Sequence, residues 1–201
     1  IEAWDEDSNN AWSQNRNLHF RNKMVEFSVS GEINYIDHVM GNTDNRLTGY
    51  LTAGIAYFTH DPEAKDSYGN WHPLQPLGTE GQGWTFGNDT YKLNGIALPF
   101  GMGFKVNLGP AIAFQMEWGL RKTWTDYLDD VSTSYVNPVE LRQARGELAL
   151  EMADRILDLP DDLPHSQGLQ RGDPGLDDKY GYFLASIAFR VSKKPTSCWE
   201  Q

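Results

Sequence analysis

From Lys23 to Ile36 the chain alternates, with Val25, Phe27, Val29, Ile33 and Tyr35 on one side and Glu26, Ser28, Ser30, Glu32 and Asn34 on the other. A period of two residues predicts a strand with one apolar and one polar face. The pattern recurs from Arg46 to Phe58, where Leu47, Leu51, Ala53, Ile55 and Tyr57 oppose Arg46, Thr48, Tyr50 and Thr52. Lys92 to Val106 sets Ile96, Leu98, Phe100, Met102, Phe104 and Val106 against Gly95, Ala97, Gly101 and Gly103. Ala111 to Thr125 sets Ile112, Phe114, Met116, Trp118, Leu120 and Trp124 against Ala113, Gln115, Glu117, Gly119, Arg121 and Thr123. Gly181 to Val191 sets Phe183, Ala185, Ile187, Phe189 and Val191 against Tyr182, Ser186 and Arg190. Repeated two-faced strands of this length predict an all-β, antiparallel up-and-down transmembrane β-barrel, apolar toward lipid and polar within. The small residues on the inner face leave room in a narrow tube for large side chains of neighbouring strands.

The connections alternate in length. Asp37 to Asn45 and Asn107 to Pro110 are short, whereas Thr59 to Tyr91 and Asp126 to Lys179 are long. Outer-membrane barrels have short periplasmic turns and long external loops, so the strand from Lys23 runs downward and residues 1–22 lie outside the cell. An even-stranded barrel that starts and ends in the periplasm then needs an odd number of strands before Ile1, and three reach the usual minimum of roughly eight. We therefore expect one barrel domain over residues 1–201 that lacks its first three strands and a signal peptide, with 192–201 as a periplasmic tail. A loop helix is expected from Asn137 to about Leu157: Asn137 can cap, Pro138 suits the first helical position, and Leu141, Leu148, Met152 and Ile156 recur at helical spacing. Leu159 to Asp178, rich in Pro and Asp, reads as irregular loop.

Composition narrows the partners. With 17 basic against 28 acidic residues and a net charge of −11, the chain has no basic footprint for nucleic acid. No apolar run is long enough for a spanning helix, a test to which barrel strands are invisible. Cys198 is the single cysteine, so no intrachain disulfide or Cys-rich zinc site forms.

The residues expected against lipid are Val25, Phe27, Val29, Ile33, Leu51, Ile55, Leu98, Phe100, Phe114, Met116, Trp118, Phe183, Ile187 and Phe189. Those expected inside are Glu26, Ser28, Glu32, Arg46, Lys105, Glu117, Arg121 and Arg190. Mixed charge in a closed interior is most simply an ion-pair network that fills the tube; proton relay or ion conduction is the sharper alternative. Arg46, Lys105 and Arg190 also fall near the periplasmic mouth, where an acidic partner could meet them.

Chemistry-bearing motifs are sparse. Asp126 with Asp129 and Asp130, and Asp161 with Asp162, could offer carboxylates to calcium, but without EF-hand spacing they read as solvated loop. His19, His38, His60, His72 and His165 lack metal-ligand spacing, and no GxSxG, P-loop or dinucleotide fingerprint occurs. Ser132 or Ser134 with a loop histidine is the arrangement a lipid hydrolase at the outer rim would use. The expectation is no catalytic residue, no cofactor and no metal.

Three segments, WHPLQPLGTEGQG at Trp71–Gly83, RKTWTDYLDDVSTSY at Arg121–Tyr135, and Arg171-Gly172-Asp173 with Tyr180–Val191, resemble the PorG-like outer-membrane β-barrel proteins of Bacteroidota, associated with the type IX secretion system. Leu148 to Arg155, LALEMADR, is similar to the helical segment these proteins carry before their last strand. The resemblance implies an eight-stranded outer-membrane barrel that attaches to a periplasmic ring of a PorK/GldK-type lipoprotein and a PorN/GldN-type protein. It implies no enzymatic role. The tail Ser192–Gln201 extends beyond the point where family members commonly end. The competing readings are a stand-alone small barrel, either a lipid-modifying enzyme or an adhesion module acting through the 137–157 helix, and a soluble β-sandwich binding module.

Overall fold

The computed structural model describes residues 1–42, 44–160 and 163–191. The fold is all-β. Its strands are β1 (Glu2–Trp4), β2 (His19–Asn34), β3 (Leu47–Lys65), β4 (Trp71–Pro73), β5 (Asn94–Asn107), β6 (Ile112–Thr123) and β7 (Lys179–Phe189). They form one antiparallel, curled sheet in the order β1-β2-β3-β5-β6-β7, with β4 on β3. The five long strands are those the two-residue period predicts, and each of them equals or exceeds the ~9–11 residues a tilted strand needs to cross a membrane. Between β6 and β7 the register runs from Ile112 opposite Phe189 to Lys122 opposite Lys179, which puts outward residues beside outward ones.

Two strand ends depart from expectation. Thr59 to Lys65, read as loop, continues β3, and Glu63–Lys65 pairs with β4. β2 likewise begins at His19 rather than Lys23, with β1 against it from Glu2 opposite Arg21 to Trp4 opposite His19. These strand ends find partners in short loop segments, whose three-residue length carries no periodic signal. Pro62 is tolerated because its carbonyl, not a missing N–H, makes the bond, accepting from Leu74 N at 2.8 Å.

Contacts divide the chain into two compact units. The first comprises Ile1–Phe27, Tyr57–Ile96 and Thr123–Asp178, and holds the strand ends and long loops. The second comprises Ser28–Ala56, Ala97–Lys122 and Lys179–Gln201, and holds the sheet proper.

In the second unit the wall is built by fitting rings onto glycines. A Cβ on Gly103 would approach the Tyr50 ring, and one on Gly119 the Tyr182 ring, closer than the 3.0 Å that real contacts respect. The glycines are therefore the sockets in which inward tyrosines lie flat. That is the use the sequence pattern assigned to the small inner residues, here with the partners named.

The first unit has its own apolar core. Ala64, Leu74 and Met152 form one cluster with Leu77 and Leu148, and Leu141, Ala149 and Ala153 another with Trp84, Val136 and Leu150. The helix expected over 137–157 is two short helices, α2 (Pro138–Arg145) and α3 (Glu147–Ala153), following α1 (Ala11–Arg16). Asn137 caps α2, its Oδ1 accepting from Val139 N at 2.9 Å and Glu140 N at 3.3 Å, with Pro138 at the first position. The break falls at Gly146, whose φ of 90° and ψ of 179° no helix can contain. The helical spacing survives the kink, because Leu141 and Met152 are both buried.

Candidate functional site

In the second unit the inner face of the sheet carries a continuous polar chain. Glu117 on β6 accepts from Tyr50 Oη at 2.8 Å and from Tyr182 Oη. Gln115 Nε2 donates to Tyr50 Oη at 2.6 Å. The Lys105 ammonium lies 4.7 Å from the Tyr50 ring centroid and pairs with Glu32, while the Arg121 guanidinium sits 4.4 Å over the Tyr182 ring. Each strand supplies these groups at alternate positions, so strand register alone assembles them. Of the residues expected inside, Glu26, Lys105, Glu117 and Arg121 are half-buried, whereas Ser28, Glu32, Arg46 and Arg190 are exposed. Ser28 and Glu32 lie on β2 and Arg190 just past β7, and among the described residues these strands bound the second unit's part of the sheet. Arg46 precedes β3, in the turn.

The outward residues are exposed to an extent that water does not favour: Val25 and Phe27 are each 74 % exposed, Ile33 76 %. Val29, Leu51, Ile55, Leu98, Phe100, Trp118, Phe183, Ile187 and Phe189 are also exposed. Phe114 and Met116 are the exceptions and are half-buried. Phe114 shares a tilted ring contact at 6.4 Å with Phe104 on β5, so outward neighbours cover one another.

The first unit hides a second polar group, which sequence reasoning did not find. Arg171, 1 % exposed, pairs with Glu80 at 2.9 Å and Asp130 at 3.6 Å. Glu80 also accepts from Ser132 N at 2.9 Å, Thr133 N at 3.0 Å and Thr133 Oγ1 at 2.8 Å. Asp130 accepts from Thr79 Oγ1 at 2.5 Å and Tyr91 Oη at 2.7 Å. Arg171 Nε closes the group by donating to Ala153 O at 3.2 Å. Four separate loop segments and the end of α3 are thereby tied at one point. These residues lie in loops from Thr79 to Arg171 with no periodic spacing to join them.

Carboxylates here resist ionisation. Burial raises Asp126 to about 6, and Asp178, Glu80 and Asp173 add to the rise while a bond from Ser132 opposes it. Burial also raises Asp130 to about 6 against the pull of Arg171. Burial raises Asp129 and Asp178 too, and for Asp129 the nearby Asp178 raises it further. A raised carboxylate stabilises the fold fully below its usual value of 3.8, and that contribution disappears as pH rises through the folded value. Asp126→Asn is therefore expected to stabilise the protein at pH 8, by about 1 kcal/mol once solvent screening is allowed for, and to change nothing at pH 4. Urea unfolding at the two pH values measures this; equal gain at both would show that charge is not the cause.

Among the described residues no three His, Cys, Asp or Glu side chains are placed to hold a metal ion. Asp161 and Asp162 lie outside the described residues. Ser132 N donates to Glu80 at 2.9 Å, and Ser134 bridges to Gln170. Three of the five histidines are engaged elsewhere: His60 with Lys92 O at 3.1 Å, His72 with Asp66 at 2.8 Å, and His19 with Lys65 N at 2.9 Å, whereas the Nδ1 atoms of His38 and His165 are buried without a hydrogen-bond partner. Neither serine is joined to a histidine by these bonds.

What the geometry defines is a class: an antiparallel β-barrel wall with an apolar exterior and a polar interior, bearing loops that pack on a core of their own. Among the described residues no helix is long and apolar enough to cross a membrane, which says nothing about crossing by strands. Residues 1–70 match the family DUF6089, described as a domain of unknown function. No curated protein and no solved structure matches the chain.

Proposed function

We propose that the chain is a non-enzymatic outer-membrane β-barrel component of the type IX protein secretion system, anchoring a periplasmic ring of PorK/GldK-type lipoprotein and PorN/GldN-type protein to the outer membrane. The observation that carries the membrane half is the band of large apolar side chains exposed on the outward face of all five long strands, from Val25 at 74 % to Phe189 at 65 %. Exposed apolar area of that extent signals a lipid or protein surface. The secretion half is supported by the likeness of the segments Trp71–Gly83 and Arg121–Tyr135 to PorG-like proteins.

The sheet's two edges bear on closure. Neighbouring long strands alternate in direction, so β2 and β7, the first and fifth, run the same way. They cannot pair antiparallel with each other. A second copy related by rotation about the membrane normal would bring them together only in parallel, which up-and-down barrels do not use.

A tagged full-length protein, extracted from envelopes in mild detergent, is expected to bring down both ring proteins. Their consistent absence sinks the anchoring role. Resistance to alkaline carbonate and a heat-dependent mobility shift are expected in either case; release by carbonate without the shift removes the membrane reading as well.

A further inference from the structure

In the first unit the segment from β1 to the start of β2 folds back against the long loops and leaves a pocket of about 250 Å³ between them. Asn17, left-handed at a φ of 55°, ends α1 and returns the chain to β1, where Asp5 N donates to Leu18 O at 2.8 Å. Arg16 fixes the fold-back. Its Nε and Nη2 donate to the two carboxylate oxygens of Asp5, each at 2.7 Å, and its Nη1 donates to Arg171 O at 2.6 Å. The wall is mostly carbon, supplied by Trp4, Leu18, Phe20, Leu74, Val131 and Met152.

Charge in the lining is matched except at one residue. Arg16 is taken by Asp5, and Arg171 by Glu80 and Asp130. Burial first, then Arg155 and Lys65, lowers His19 to about 4, so that imidazole is neutral. Asp129 is the exception. It lines the pocket half-buried, its Oδ1 accepts from Val131 N at 3.0 Å, and the two arginines whose charge reaches it are those already paired with other carboxylates. A carboxyl group in apolar surroundings without a cation of its own keeps its proton. Burial first, then Asp178, raises Asp129 to about 8, against the bond from Val131 N and the pull of Arg171 and Arg16. At neutral pH the pocket is therefore met by a neutral O–H donor.

We propose that this pocket takes a small uncharged organic molecule, an apolar body bearing one hydrogen-bond acceptor, with the Asp129 carboxyl group donating to that acceptor. Size sets the scale: a cavity of roughly 150 Å³ holds a benzene ring, so this one admits a ring with a short substituent. Ions fit less well. Either sign would surrender its water to carbon walls. An anion would meet Asp129 and the carboxylates around it, and a cation would have Arg16 and Arg171 in the wall beside it. The pocket lies wholly within the first unit, and its ligand is independent of the anchoring role.

Equilibrium dialysis of the full chain, with the same detergent on both sides so that partition into micelles cancels, compares acetophenone, isopropylbenzene, benzoate and benzamidine. All four are a phenyl ring with a forked substituent of similar size. At pH 7 acetophenone is expected to bind about fivefold more tightly than isopropylbenzene, the worth of one hydrogen bond, and both ions more weakly than acetophenone. Asp129→Leu removes the preference and leaves isopropylbenzene bound. In the unsubstituted chain the preference is lost by about pH 10, as Asp129 gives up its proton, whereas Asp129→Asn, which keeps an N–H donor, shows it at both pH values. Failure of both neutral molecules to bind, equal affinity for the two, or tighter binding of benzamidine or benzoate than of acetophenone each overturns the site. So does a preference that survives Asp129→Leu, or one that persists to about pH 10 in the unsubstituted chain, the arm that decides if Asp129→Leu does not fold.

Discussion

Arg171→Ala is expected to cost about 3–5 kcal/mol, because it leaves Glu80 and Asp130 buried together without their cation. The side chains of both carboxylates are 0 % exposed, so water cannot take the place of the guanidinium. Two of its neighbours lose bonds as well, Ala153 O and Asp130 O. Arg171→Met tests whether the loss is one of volume or charge, and a comparable cost is expected, since the carboxylates remain. Adding Glu80→Gln and Asp130→Asn to Arg171→Met should recover part of it, as removing a whole buried ionic group is far milder than breaking it. The pH dependence has a definite sign. Asp130 is raised to about 6 even with Arg171 pulling it down, so without Arg171 it protonates more readily still, and the deficit of the variant shrinks as pH falls toward 5. Urea unfolding and protease cleavage within 126–172 at pH 5 and pH 8 read both effects. A deficit independent of pH would place the role of Arg171 in packing rather than charge.

Gly119→Val is expected to be the most damaging change in the sheet. The added atoms enter space held by Cε1, Cζ and Oη of Tyr182, all nearer than 3.0 Å to a Cβ at that position. The ring cannot yield alone, since its hydroxyl donates to Glu117 and Arg121 stacks on its face at 4.4 Å. Overpacking costs about 1–3 kcal/mol, and loss of the hydrogen bond to a charged group adds about 1.5–3 kcal/mol. The heat-dependent mobility shift should vanish or fall to lower temperature. Tyr182→Ala in the same chain is expected to restore the shift by vacating the socket. If the double variant folds no better than Gly119→Val, the ring is not the obstacle.

These two sites differ in how they could be read beforehand. Gly119 and Tyr182 belong to inward sets that alternation alone defines, and only their pairing across β6 and β7, Gly119 opposite Tyr182, was hidden. Glu80, Asp130 and Arg171 lie far apart in loops with no period, so no spacing rule connects them. The kink at Gly146 was missed for a related reason: apolar residues at helical intervals look the same whether one helix carries them or two short ones meeting at a left-handed glycine. Phe114 and Met116 follow the outward alternation yet are half-buried, because alternation assigns a face and says nothing of what the neighbouring strand lays over it.

The sequence by itself determined the strands, their two faces and the order of short and long connections, since a two-residue period is a local property fixed by backbone geometry. Tertiary structure decided the rest: which tyrosine lies on which glycine, how β2 and β3 extend into the loops to gather Arg21, Lys23, Glu63 and Lys65 on one face, and how Arg171 reaches Glu80 and Asp130. Those contacts join residues 40 or more positions apart, and only the folded chain brings such separations within a hydrogen bond.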